Sequence, residues 1–227
     1  MKTKTVSLPF MLLGIVFCVC LVAANFLEAK VIALGPFAVT AGMLVFPLSY
    51  IINDCIAEVW GFKKARLIIW MGFLMNFMVV ALGQIAVMIP AAPFWEGEES
   101  FNFVFGLAPR IAAASLVAFL VGSFLNAYVM SRMKLLSKGR HFSLRAVVST
   151  LAGESADSVI FFPIAFAGLM PAGELLKMMA VQAVLKTVYE ILVLPVTVRV
   201  VKYMKRVTGN DAFDSDISYN ILKINEL

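Results

Sequence analysis

The sequence has 227 residues, 62% of them hydrophobic and 15% charged, with a formal net charge of +5 and a mean hydropathy of +0.93. Such a balance excludes a soluble domain, and the lack of ten-residue alternation excludes a transmembrane β-barrel. Long apolar runs separated by short polar breaks define an all-α, polytopic membrane protein, because in lipid each helix satisfies its own backbone hydrogen bonds.

Six spans are predicted, at about residues 6–28, 38–59, 67–89, 110–132, 146–168 and 174–201. The breaks on one side hold 15 of the 19 Lys and Arg residues, which places both termini in the cytoplasm by the positive-inside rule. Spread over alternate breaks rather than gathered in a patch, these charges have anionic lipid as their partner, and no nucleic acid is expected. The expected organisation is one six-helix transmembrane domain, residues 1–206, and a polar cytoplasmic tail, residues 207–227.

The first span follows Lys2 and Lys4 and runs from Val6 to Leu27 without a small-residue cleavage site, so it is read as a retained helix. Cys18 and Cys20 are two apart and point to different sides, and with Cys55 they are read as packing residues rather than a disulfide or metal site. In the second span, GMLVFPLSYIINDCIAEVWG (42–61), Asp54 and Glu58 lie one helical turn apart on the face that carries Tyr50 and Pro47. An ionised side chain at the centre of a membrane helix costs about 2.5–3.5 kcal/mol, so this face turns to the bundle interior.

The connection at 90–109, with Glu96, Glu98 and Glu99, is read as the longest outer loop. In the fourth span Ala114, Ala118 and Gly122 form a small-residue packing seam, and Asn126 is a polar candidate. The basic connection that follows contains the lone His141, read as solvated. The fifth span, LAGESADSVIFFPIAF, places Glu154 and Asp157 on adjacent positions of one face among small residues, with Pro163 freeing a carbonyl one turn earlier. The two acid pairs, one in each half, hint at a pseudo-symmetric site between three-helix halves. The sixth span sets Gln182, Lys186 and Glu190 on one stripe, which predicts an intrahelical Lys186–Glu190 pair, with pairing of Lys186 to Asp157 or Asp54 across helices as the alternative. After Arg206 the tail GNDAFDSDISYN is expected to be mobile and dispensable for chemistry. No phosphate-binding loop, HExxH, GxSxG or Cys/His cluster occurs, so no catalytic residue, cofactor or metal is expected.

FPLSYIINDCIAEVWGFKKAR, PRIAAASLVAFLVGSFLNA, GESADSVIFFPIAF and KTVYE followed by a proline resemble, in order and spacing, the queuosine precursor transporter family, also called the vitamin uptake transporter family. The resemblance covers about residues 20–200. It implies six membrane helices in the cytoplasmic (inner) membrane and import of 7-cyano- or 7-aminomethyl-7-deazaguanine. By motif position it carries over Asn25, Asp54, Glu58, Arg110, Ser115, Asn126, Glu154, Asp157, Lys186 and Glu190 as substrate-binding residues. The chemistry agrees: a guanine-like edge offers adjacent N–H and NH₂ donors that a carboxylate accepts, and the ring carbonyl takes a donor from Asn, Ser or Lys. Phe162, with Phe161, Phe166 and Tyr50, offers rings on which the flat base can stack.

The leading expectation is therefore a transporter of a planar, polar, nucleobase-like small molecule, with oligomeric state, a homodimer included, left open. Its rivals are an intramembrane enzyme using the acid pairs for acid/base chemistry, a substrate-binding subunit of an energy-coupled vitamin transporter, and an assembly subunit whose buried charges only fix packing.

Overall fold

The computed structural model describes residues 7–27, 30–34, 37–105, 109–166, 171–215 and 217–223. Its elements are α1 (Leu8–Leu27), β1 (Val31–Leu34), β2 (Phe37–Thr40), a 3₁₀ turn (Ala41–Leu44), α2 (Phe46–Trp60), α3 (Phe62–Met88), the short α4 (Glu98–Phe105), α5 (Pro109–Leu136), α6 (Phe142–Phe166) and α7 (Ala172–Thr208). A long helix thus occupies each predicted span. Five segments are long and apolar enough to cross a membrane. A further long helix, α7, has 37 residues, about 55 Å at 1.5 Å per residue against a hydrocarbon core of about 30 Å, and it carries Lys177, Lys186 and Glu190.

The chain departs from an all-α reading at one place. Residues 38–40, expected to open the second span as helix, belong instead to an antiparallel hairpin pairing Val31 with Thr40 and Leu34 with Phe37. The sequence contains the reason, since the β-branched and aromatic residues of both strands flank a Gly-Pro dipeptide, a turn signal. Pro47 then sits in the first turn of α2, where its missing N–H costs nothing. With only 15 residues, about 22 Å, α2 reaches a membrane-spanning length through the preceding 3₁₀ turn.

The exterior is apolar and the interior polar, the reverse of a soluble domain. Leu8, Leu12, Val19, Leu74, Leu82 and Leu192 are exposed, whereas Asp54, Glu58, Arg66, Asn126, Arg145, Glu154 and Glu190 are fully buried. α2 is the central element, packed by α1, α3, α5 and α7. Its corner with α3 turns at Gly61, whose φ of +82° is a conformation side chains rarely adopt. α5 and α6 form a tight hairpin in which Gly122 and Gly153 face each other. A Cβ on Gly122 would stand 2.9 Å from the Gly153 carbonyl oxygen, and one on Gly153 would stand 2.8 Å from that of Gly122. Ala114 and Ala118 are fully buried on α5, so the predicted small-residue stripe does serve as a packing seam. Cys18, Cys20 and Cys55 are free thiols.

The tail is not the mobile appendage that its composition predicts. Residues 211–215 and 217–222 lie across the end of the bundle where α1 begins, α2 meets α3, α5 meets α6 and α7 ends. Asp214 accepts from the Phe62 backbone N–H at 2.9 Å and from the Ser131 hydroxyl. The Ala212 N–H donates to Val59, Arg66 donates to the carbonyls of Ser218 and Asn220, and the Trp70 indole donates to that of Ile221. Tyr219 packs on Phe62 and Tyr128, 5.0 Å from each ring, with the Arg132 guanidinium over it. Short-range composition reads such a segment as solvated; the donors that hold it come from helices 83 to 152 residues away in sequence.

Candidate functional site

Two buried polar centres emerge, and they divide the acids of α2 between them. Asp54 and Glu58 are both fully buried, as their shared face predicts, but they meet different partners.

The first centre closes the basic end. The carboxylate of Glu58 takes both terminal nitrogens of Arg145 from α6, at 2.5 and 3.1 Å, and the Lys205 ammonium from α7 at 2.6 Å. Lys134 from α5 lies 3.6 Å from the same carboxylate and donates to the Glu58 carbonyl at 2.6 Å. Lys134 and Lys205 also both reach Asp211 in the tail. Burial alone would raise the Asp211 carboxyl, but the hydrogen bonds from the two ammonium groups outweigh it and hold the group below its ordinary value. Four elements and the tail are thus joined by a fully paired network, which is what a buried ion cluster requires. Arg145, Lys134 and Lys205 were legible in the sequence only as topology signals, since each lies at a helix end among other basic residues.

The second centre lies further along the bundle, between α2, α5, α6 and α7. Lys186 of α7 crosses to α6 and sets its ammonium 2.7 Å from Glu154 and 3.5 Å from Asp157. Its ammonium also sits over the Phe46 ring, 4.1 Å from the centroid. The expected intrahelical pair with Glu190 gives way to this cross-helix triad, because two carboxylates on the facing helix offset one cation better than one neighbour on the same stripe. Asp54 receives the Ser149 hydroxyl at 3.3 and 3.4 Å. Asn126 of α5 accepts from Asn53 at 3.2 Å and points its amide at Thr150, 3.5 Å away, joining α2, α5 and α6. Phe162, fully buried, stands edge-on to Phe161 with ring centroids 5.3 Å apart.

Several buried polar atoms here have no hydrogen-bond partner of normal geometry among the described residues: Ser49 Oγ, the Tyr50 hydroxyl and Asn53 Oδ1 on α2, Glu154 Oε1 and Ser158 Oγ on α6, and both oxygens of Glu190 on α7. The Tyr50 hydroxyl points to the Gly122–Gly153 crossing, and a Cβ on Gly122 would come within 2.4 Å of it. Absence of a side chain at both glycines is what admits the tyrosine ring beside Glu154 and Asp157.

Two of the expected residues fall elsewhere. Asn25 of α1 donates to Asn76 of α3 and accepts from Ser115 of α5 at 2.9 Å, a three-helix bridge toward the opposite end of the bundle. The Arg110 side chain lies outside the described residues.

An apolar exterior, membrane-length helices and a sealed polar interior define a multi-pass integral protein of the cytoplasmic membrane with a buried charge centre. Residues 40–200 match the model of the family described as "Putative vitamin uptake transporter", and the chain belongs to that family. Among curated proteins it is similar to the "Probable queuosine precursor transporter" of Bacillus subtilis, 28% identical over 152 residues that make up 66% of each chain. It is also similar to the "Queuosine precursor transporter" of Escherichia coli, 26% identical over 63% of this chain and 62% of that one. A third relative is the "Probable queuosine precursor transporter" of Haemophilus influenzae, 30% identical over 60% of this chain and 58% of that one. The matched part therefore spans somewhat less than two thirds of each relative's own length. No solved structure matches the chain.

Proposed function

We propose that the protein imports queuosine precursors, 7-cyano-7-deazaguanine or its 7-aminomethyl counterpart, with both termini on the cytoplasmic side. The observation that carries this reading is the cluster of buried polar atoms without protein partners on α2 and α6. Buried polar groups are ordinarily satisfied, so several orphans around one ion triad mark a place where a polar ligand completes the bonding. The donor edge of a deazaguanine fits Glu154 or Asp157, the ring carbonyl fits the Tyr50 hydroxyl, and Phe162 offers a ring beside them. Lys186 holds the two carboxylates until a substrate donor, or the cationic aminomethyl arm, takes part of its place. Glu58, sealed into the other network by Arg145 and Lys205, is assigned to the fold rather than to the substrate.

The test is uptake of labelled 7-cyano-7-deazaguanine in cells that cannot synthesise it, recovered unchanged and normalised to protein in the membrane. Asp157→Asn or Glu154→Gln replaces two acceptors by one and leaves substrate donors unmatched, a loss of about 2–5 kcal/mol, so uptake falls by well over tenfold. Uptake at the parental level in both variants removes the site; a chemically altered product recovered from the cells supports the intramembrane enzyme instead.

A further inference from the structure

The second centre contains more acid than it neutralises. Asp54, Glu154, Asp157 and Glu190 are buried there, and among the described residues the ammonium beside them is that of Lys186, which is ion-paired to Glu154 and Asp157. Asp54 is met by neutral donors, the Ser149 hydroxyl at 3.3 to 3.4 Å and the Asn126 amide, a weak offset for a full charge. Glu190 has less: it is 0% exposed and neither carboxylate oxygen has a hydrogen bond of normal geometry.

Among the described residues, the groups around Glu190 offer it no cation beyond that of the triad. From α2 come Asp54 and the thiol of Cys55; from α6 come the Thr150 hydroxyl and Glu154; on α7 itself Lys186, one turn earlier, is turned to α6. Two carboxylates with so little compensation do not stay ionised together in a low-dielectric interior, and a shared proton is the smallest ligand that resolves the conflict.

We propose that Glu190, with Asp54 across the α2–α7 contact, is a proton-binding site through which substrate movement is coupled to protons. This rests on the transport reading above and adds the coupling ion and the residues that take it. The proton binds a carboxylate oxygen on one side of the membrane and leaves it on the other, with no bond to the substrate formed or broken. Substrate donors that displace Lys186 from Glu154 and Asp157 change the charge facing Glu190, which links the two sites electrostatically.

The experiment uses the purified full chain in liposomes and 7-cyano-7-deazaguanine, a neutral probe whose own charge does not respond to the gradient. Exchange of labelled for unlabelled probe without any gradient reports transport alone. An external pH below the internal one should drive accumulation of about tenfold per pH unit for one proton carried per substrate, and probe addition to weakly buffered vesicles should alkalinise the outside. Glu190→Gln, which keeps the shape of the protonated acid but cannot release the proton, should lose both gradient-driven accumulation and alkalinisation. Exchange by the unaltered protein with no pH response and no alkalinisation overturns the proton site and leaves the transport reading standing. Parental accumulation by Glu190→Gln likewise overturns it. Absence of exchange in the unaltered, folded protein overturns the transport reading itself, and the coupling with it.

Discussion

Glu58→Gln tests whether the ion-paired acid of α2 serves the fold, apart from Asp54 one helical turn away. In the folded protein the Glu58 and Arg145 side chains are each about 1% exposed, and the guanidinium is held by two bonds of 2.5 and 3.1 Å. A glutamine amide keeps one acceptor but no charge, so Arg145 is left with the carbonyls of Gly139 and Arg140, and Lys205 loses its buried partner. Breaking a buried ion pair from one side costs about 3–5 kcal/mol, because the stranded cation stays desolvated. Lys205 is a quarter exposed and can turn to water, so the stranded guanidinium dominates the loss. At about 2–4 °C per kcal/mol for a chain of this size, the thermal midpoint of detergent-purified protein should fall by roughly 6–20 °C. Removing the cation as well, in Glu58→Gln with Arg145→Met, should recover part of that loss, since replacing both partners by neutral groups of similar volume is far cheaper. A midpoint within about 2 °C of the parent, together with lost uptake, would refute this reasoning and return Glu58 to the substrate site.

Three further predictions follow from the packing. Gly122→Ala places a methyl 2.9 Å from the Gly153 carbonyl and against the Tyr50 hydroxyl, so it should destabilise by about 1–3 kcal/mol, while Gly173→Ala, with nothing within 4 Å, should be neutral or slightly stabilising in the same thermal assay. Truncation after Thr208 strips Arg66, Ser131 and the Phe62 N–H of their tail partners and should lower the midpoint and expose the α2–α3 corner to proteolysis; an unchanged digestion pattern would show the tail to be unimportant. The Asp211 share of that effect has a defined sign: its folded pKa is depressed, so its stabilisation is present above the unfolded value of about 3.9 and is lost as the pH falls through the folded one. Finally, a cytoplasm-active reporter inserted at residues 137–140 should be active and one at residues 96–99 inactive; the reverse pattern would invert the proposed topology.

Membrane residence, the mostly helical fold with several membrane-length helices, and the interior placement of Asp54, Glu58, Glu154, Asp157, Lys186 and Glu190 were legible in the sequence alone. Each follows from one strong local term: apolar run length fixes the spans, and the cost of a charge in lipid forces ionisable side chains inward. The hairpin at Val31–Thr40 was marked by its Gly-Pro dipeptide but hidden within apolar residues that suit strand and helix alike. Partner choice was not legible. Periodicity puts Lys186 beside Glu190, yet only the crossing of α6 with α7 decides that the ammonium goes to Glu154 and Asp157. Likewise nothing within α2 distinguishes Asp54 from Glu58; the difference comes from Arg145 and Lys205, brought from 87 and 147 residues away to close one acid into a salt-bridge network. Charge burial is a one-body cost that each residue carries in its own sequence, whereas charge pairing is a two-body term set by helix packing, and that term tells the structural carboxylate from those free to serve a ligand or a proton.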